Sequence, residues 1–416
     1  MKVIFLSFPL IMKAVDGFQF PKIKFIGIPS FKSDEEVPRS RVEKGPEEEE
    51  LLLRSVINHC QRDKNEHTND VSTCLEASFY WEPALEESYS VACKIFEEIF
   101  SYQKSTRSPR KIILSFPSMS RQTDLENLAN VLQSNECGLL LGIEDAVSEL
   151  YPSSPAPYIS ITFPAESDVE PNMVVKESEQ ASCDDARTNT EDWVNNFLGL
   201  YRLCPYTSSV TRAAVGLKSV GVPVGGVHIT VGHTGYCNIP SKRKLNAAEV
   251  TSLFWSEVSF LLNSPQDEWA TSLLVFPAYD LDFDAFIEIC DKIVEPSVVA
   301  TKSTDYIGRA WFHPLYNADA VGHSTVIAGH AIPHKMVEQF RASSNDGNKK
   351  ELHYDSLARA NDLVRQTPHA TINILRRSQL TKAGDYEKSL GHRGPKPNSV
   401  YVRNAVRLSD SLLGNE

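Results

Sequence analysis

Three side chains stand at element boundaries where chemistry is feasible. Cys204 lies in Trp193–Arg212, WVNNFLGLYRLCPYTSSVTR, where an amphipathic run stops at Leu203-Cys204-Pro205-Tyr206. A residue before proline is pushed out of the α region, so the thiol is expected at a helix-to-loop corner on a rigid support. A working thiol needs its pKa lowered by a cation, a histidine or a helix N-terminus. Arg202 is the nearest cation, whereas a helix C-terminus disfavours an anion. The competing reading is a small apolar residue buried at a corner. His313 ends the apolar run Gly308-Arg309-Ala310-Trp311-Phe312-His313-Pro314. A strand end can present a general base or a metal ligand, or simply a hydrogen-bonded loop histidine. Arg376 closes TPHATINILRR, and its planar fork suits a carboxylate or phosphate. A helix opening at Pro368 or His369 and running to Leu380 is expected there, with Thr367, His369, Asn373 and Arg376 three or four apart on a polar face.

Other patterns are weaker. Asp280, Asp282 and Asp284 alternate as in a calcium loop with Asp291 at its twelfth position, but Ala285 replaces the required glycine, and helix-capping acids are the plainer reading. His323, His330 and His334 cluster in a polar insert from Ala318 to Leu363, with Pro333 interrupting the helical spacing of the last two. His228 and His233, five apart on a strand, point to opposite faces. A metal would require His313 and His369 to join His323, His330 or His334. No GxxxxGK[ST], GxGxxG after a strand, GxSxG or HExxH occurs, so these motifs leave the cofactor unknown.

The positioning elements read as an α/β or α+β protein, with helices packed on a mixed sheet. In a first region, 51–165, helices are expected at Leu51–His59, Pro83–Tyr102 and Leu125–Ser134, and strands at Lys111–Phe116, Gly138–Ile143 and Tyr158–Phe163. A polar, acidic stretch, 166–189, reads as a linker holding an exposed Cys183. In the region 190–385 an alternating segment centres on Val222–Val231. Helices follow at Ala247–Leu262 and Phe283–Val294, with strands at Thr271–Phe276 and Tyr306–Phe312. No internal repeat is evident, although Phe-Pro follows strands at Ser115-Phe116-Pro117, Thr162-Phe163-Pro164 and Val275-Phe276-Pro277.

At 416 residues the chain has room for two domains. Its net charge of −12 argues against broad nucleic-acid binding. The tail 386–416 is irregular and basic. Eight cysteines without a CxxC pair give no disulfide scaffold or zinc module, and Cys290 reads as core. Val3–Met12 is too short to span a bilayer but suits a signal peptide of residues 1–17, with Val15 and Gly17 before the cut. The segment 18–50 begins at Phe18 and is basic and acid-free until Asp34. Together they resemble the bipartite plastid presequence of algae with secondary plastids, departing from it at Asp16. A cytoplasmic protein with an N-terminal strand is the alternative.

The segments around LCPY, LLVFP with DFDAF, WFHP and PHATINILRR resemble, in this order over roughly residues 190 to 385, the bacterial DUF1415 family, a group without an established activity. Asn373 and His369 depart from its pattern, which has histidine at the first position and an aromatic at the second. The resemblance implies an α/β domain whose Cys204, His313 and Arg376 converge on one pocket. The expected function is thus an enzyme acting on a small anionic substrate, with Cys204 as thiol, His313 as base or ligand and Arg376 as anion clamp. The rival is a noncatalytic plastid assembly factor or small-ligand binder. A small-molecule ligand is the expected partner in either case; nucleic acid and membrane insertion are not.

Overall fold

The structure, a computed structural model, describes residues 76–81, 87–104, 110–116, 121–143, 148–150, 158–163, 177–199, 204, 206–232, 240–316, 362–363 and 365–389. The presequence, the helix expected at Leu51–His59, Cys60 and Cys74, His233, the insert histidines His323, His330 and His334, and the basic tail beyond 389 lie outside these residues.

The first region holds β1 (Glu76–Trp81), α1 (Ser88–Lys104), β2 (Arg110–Ser115), α2 (Gln122–Gln133), α3 (Asn135–Leu141), β3 (Ser148–Leu150) and β4 (Tyr158–Phe163). Then come α4 (Glu177–Asp192), a π-helical continuation Trp193–Gly199, a 3-10 turn Val215–Val220 and β5 (Gly226–Val231). The rest comprises α5 (Pro240–Asn263), β6 (Trp269–Val275), α6 (Phe283–Ile289), the π turn Cys290–Val294, α7 (Glu295–Ala300), β7 (Ile307–Phe312), β8 (Thr371–Arg376) and α8 (Arg377–Ser389). The fold class is α/β or α+β, with mixed sheets.

Two four-stranded sheets follow one plan. Their orders are β1-β2-β4-β3 and β5-β6-β8-β7. The first pair is parallel in each (β1 with β2, β5 with β6), and the other two pairs are antiparallel. The register agrees as well: Ser115 faces the first residue of β4, Tyr158, and Val275 faces the first residue of β8, Thr371. Phe116 and Phe276, which follow β2 and β6, therefore occupy equivalent places, and the repeat that the sequence conceals is carried by topology. The equivalent helices α1 and α5 pack on one another, with Phe96 and Trp255 stacked at 6.4 Å. One buried cluster joins both sheets through these helices. A second cluster lies on the other face of the β5-β6-β8-β7 sheet, beneath α4, the 3-10 turn and α8.

Three local expectations change. Gly138–Ile143 is not a strand. Ser134 caps α3 by accepting from the Cys137 N–H at 3.3 Å, and Gly142 ends it at φ 66°. The short apolar run fitted either element, and the caps decided it. Thr371–Arg376 is a strand rather than a helix, because its alternating apolar residues fit between β6 and β7; the helix begins at Arg377. Within the acidic stretch, 177–192 is helical, and Cys183 is buried against the sheet, its Sγ 3.8 Å from the Gly232 carbonyl.

Candidate functional site

The strand ends define the geometry. β5, β6 and β7 run the same way, so Gly232, Phe276 and Phe312 share one edge of the sheet with the start of β8 at Thr371. Ligands in α/β proteins gather at such a carboxyl edge. His313 lies there, immediately after β7. Arg376 is at the far end, since it faces Ile307 while Thr371 faces Phe312. Five residues of strand separate those ends, about 17 Å at 3.4 Å per residue.

Both side chains are structurally committed. His313 Nε2 donates to the Tyr279 carbonyl at 2.8 Å, and Nδ1 accepts from the Leu315 N–H at 3.0 Å. A carbonyl only accepts and an amide only donates, so this tautomer is fixed and neither nitrogen is left for a substrate or metal. The ring packs edge-on to Phe283 and is tilted on Phe286, and burial pushes its pKa down. Arg376 donates through one nitrogen to the carbonyls of Ser264 and Trp269, at 2.7 and 3.1 Å, which ties β8 to the loop entering β6. Its burial depresses its pKa.

Cys204 is on the outer face, away from both. The π helix ends at Gly199, where the Ser208 carbonyl lies 2.3 Å from the position a Cβ would take. Asn195 Oδ1 accepts from the Val210 N–H at 2.9 Å, and Val227 N–H donates to the Val210 carbonyl at 2.7 Å. The Cys204 loop is thereby fastened to β5. It roofs a cavity of about 210 Å³ whose lining includes Ala214, Leu217, Thr271, Asn373, Leu375 and Gln379. His313 and Arg376 are not among the lining residues. Desolvation raises the Cys204 pKa, while hydrogen bonds from the Tyr206 and Thr207 backbone and the Thr207 side chain act the other way. The thiol therefore stays protonated at neutral pH. The Cys-His-Arg pocket expected from the sequence is not assembled, because sheet register and face separate its members.

The polar character of the cavity comes from amides. Asn373 Oδ1 is 2.8 Å from the Thr271 hydroxyl, which leaves its NH2 group for the cavity. Gln379 is 5% exposed and its Nε2 has no hydrogen-bond partner among the described residues. Sequence reading placed Asn373 on a helix and missed Gln379. Nothing in a lone glutamine signals burial.

A second arrangement unites two residues that the sequence singled out separately. Asp282, as expected, caps α6 by accepting from the Ala285 N–H at 3.1 Å. Asp280 instead accepts from His369 Nδ1 at 2.6 Å and from the Ala370 N–H at 2.9 Å. No metal-binding cluster of three or more groups is found among the described residues, and none of their helices is long and apolar enough to cross a membrane.

Residues 185–327 match the DUF1415 family, described as a protein of unknown function. No curated protein and no solved structure matches the chain.

Proposed function

With residues 185–327 belonging to DUF1415 as the premise, we propose that the Cys204 cavity binds a small neutral molecule carrying one carbonyl-type acceptor on an apolar body. The observation that carries this reading is the unpartnered amide nitrogen of Gln379, buried in the cavity lining beside Asn373. A buried donor without an acceptor costs about 1–3 kcal/mol, and a ligand oxygen would recover it. Ala213, Leu217, Leu380 and Ala383 supply the apolar walls. None of the described lining residues is Lys or Arg, and an anion buried against them would go uncompensated; this favours a neutral ligand over the anionic one first expected. The size, below the about 300–1,000 Å³ of drug-sized pockets, limits the occupant to a compact ring or short chain. Cys204 acts as a wall with a weak donor, not as a nucleophile.

Cyclohexanone and cyclohexanecarboxylate, similar in size and different in charge, test this. The ketone is expected to slow iodoacetamide labelling of Cys204 and to raise the Tm, and Gln379→Leu should abolish both effects. Protection by the carboxylate but not the ketone, or by neither, refutes the reading.

Residues 1–50 support delivery to a plastid. A fluorescent protein carrying them should enter the plastid of an alga with secondary plastids, and cytosolic fluorescence would refute the assignment.

A further inference from the structure

We propose that Asp280 and His369 form a proton-transfer site, independent of the Cys204 cavity, in which His369 Nε2 is the general base for water attacking a small ester. The pair is built for one orientation. Asp280 has both oxygens engaged, one by the ring and one by the Ala370 N–H. A carboxylate only accepts, so Nδ1 carries the proton and Nε2 keeps its lone pair. The backbone is pinned too: the His369 carbonyl accepts from the hydroxyls of Thr367 and Thr371, at 2.5 and 2.8 Å. Among the described residues Nε2 meets only Asn189 Nδ2, at 3.5 Å, the limit of a hydrogen bond. The imidazole side chain remains 15% exposed, so its free nitrogen is held ready without being consumed. That is the opposite of His313, whose nitrogens both have partners.

The surroundings suit a carbonyl substrate. Trp193 stands one turn beyond Asn189 and lies edge-on to Phe312, the register partner of Thr371. Its indole N–H is buried without a partner among the described residues. The exposed Asn189 amide, 3.5 Å from Nε2, is the donor within reach of a carbonyl oxygen on which negative charge develops. Leu281, next to Asp280, is 87% exposed and offers an apolar lip. In the reaction, water gives a proton to Nε2 as its oxygen bonds to the acyl carbon. The bond from that carbon to the leaving oxygen then breaks, and the imidazolium returns the proton to the leaving group. The products are a carboxylic acid and an alcohol, and no redox partner is needed.

The test uses the full chain and p-nitrophenyl acetate, with free imidazole at equal concentration as reference. The chain should exceed imidazole and show saturation and a solvent deuterium isotope effect above one. His369→Gln should lower kcat/KM about 10²- to 10⁴-fold, the usual range for a lost general base. Asp280→Asn should lower kcat more than it raises KM, since it frees the ring to adopt the other tautomer. Nitrogen NMR should report Nδ1–H for His369 in the wild type and a tautomer mixture in Asp280→Asn. A rate no faster than imidazole, an unchanged rate in His369→Gln, or an acetyl group trapped on His369 overturns the proposal. Cyclohexanone protection of Cys204 is measured separately, so either site can fail alone.

Discussion

Replacing His313 by alanine separates a structural histidine from a catalytic one. The substitution leaves the Tyr279 carbonyl without its donor in a buried setting, which costs about 1–3 kcal/mol. The Leu315 N–H loses its acceptor too, but Leu315 is at the surface and water can replace it. Losing ring contacts with Phe283 and Phe286 adds a partial cavity. Together we expect about 2–4 kcal/mol, measured as the displacement of urea unfolding followed by tryptophan fluorescence. His313→Gln can keep the donor to Tyr279 and should lose about half as much. The pH dependence provides an independent readout. Burial holds the His313 pKa below its ordinary value, so in acid the unfolded chain binds a proton that the folded chain refuses. Stability is therefore unaffected above about pH 6.5, the ordinary histidine pKa, and declines as pH falls below it toward the depressed folded value. In His313→Gln that part of the acid loss should vanish. Cys204, on the other face of the sheet, should label with iodoacetamide at an unchanged rate in folded protein. A stability loss under about 1 kcal/mol, or slower Cys204 labelling in a fully folded His313→Ala chain, would refute this reasoning.

Four further outcomes are expected. Iodoacetamide should label native Cys204 more slowly than a free cysteine at pH 8, because desolvation raises its pKa; faster labelling would revive a thiolate mechanism. Glu257→Ala should destabilise by about 3 kcal/mol in thermal melts, because the carboxylate holds His228 at 2.5 Å, Thr230 at 3.0 Å and the fully buried Ser272. Arg376→Met should cost about 2–3 kcal/mol in the same assay by orphaning the Ser264 and Trp269 carbonyls, without altering esterase kcat/KM. Trp255→Ala should cost about 3–5 kcal/mol in urea unfolding, since it removes the stack on Phe96 between α1 and α5; a loss under 1 kcal/mol would show that this helix pair contributes little.

The amino-acid sequence by itself determined the element types wherever periodicity was long or strand and turn signals agreed. It gave Tyr158–Phe163 to the residue, the α1 and α5 helices, the central strands and Asp282 as a helix cap, because burial on one face imposes a pattern that neighbours in sequence reveal. It also pointed to the family whose model matches residues 185–327, through short motifs in a fixed order. It misread CGLLLGI and TINILR, since a short apolar run can be buried as either element and only caps or strand partners choose. Which side chains meet was decided by the tertiary structure alone. Cys204, His313 and Arg376 each occupy a telling boundary, yet sheet register puts two of them at opposite ends and the third on the other face. Asp280 and His369, eighty-nine positions apart, meet because β6 and β8 are antiparallel neighbours. The repeated sheet plan was equally hidden, because backbone pairing preserves topology while side chains diverge.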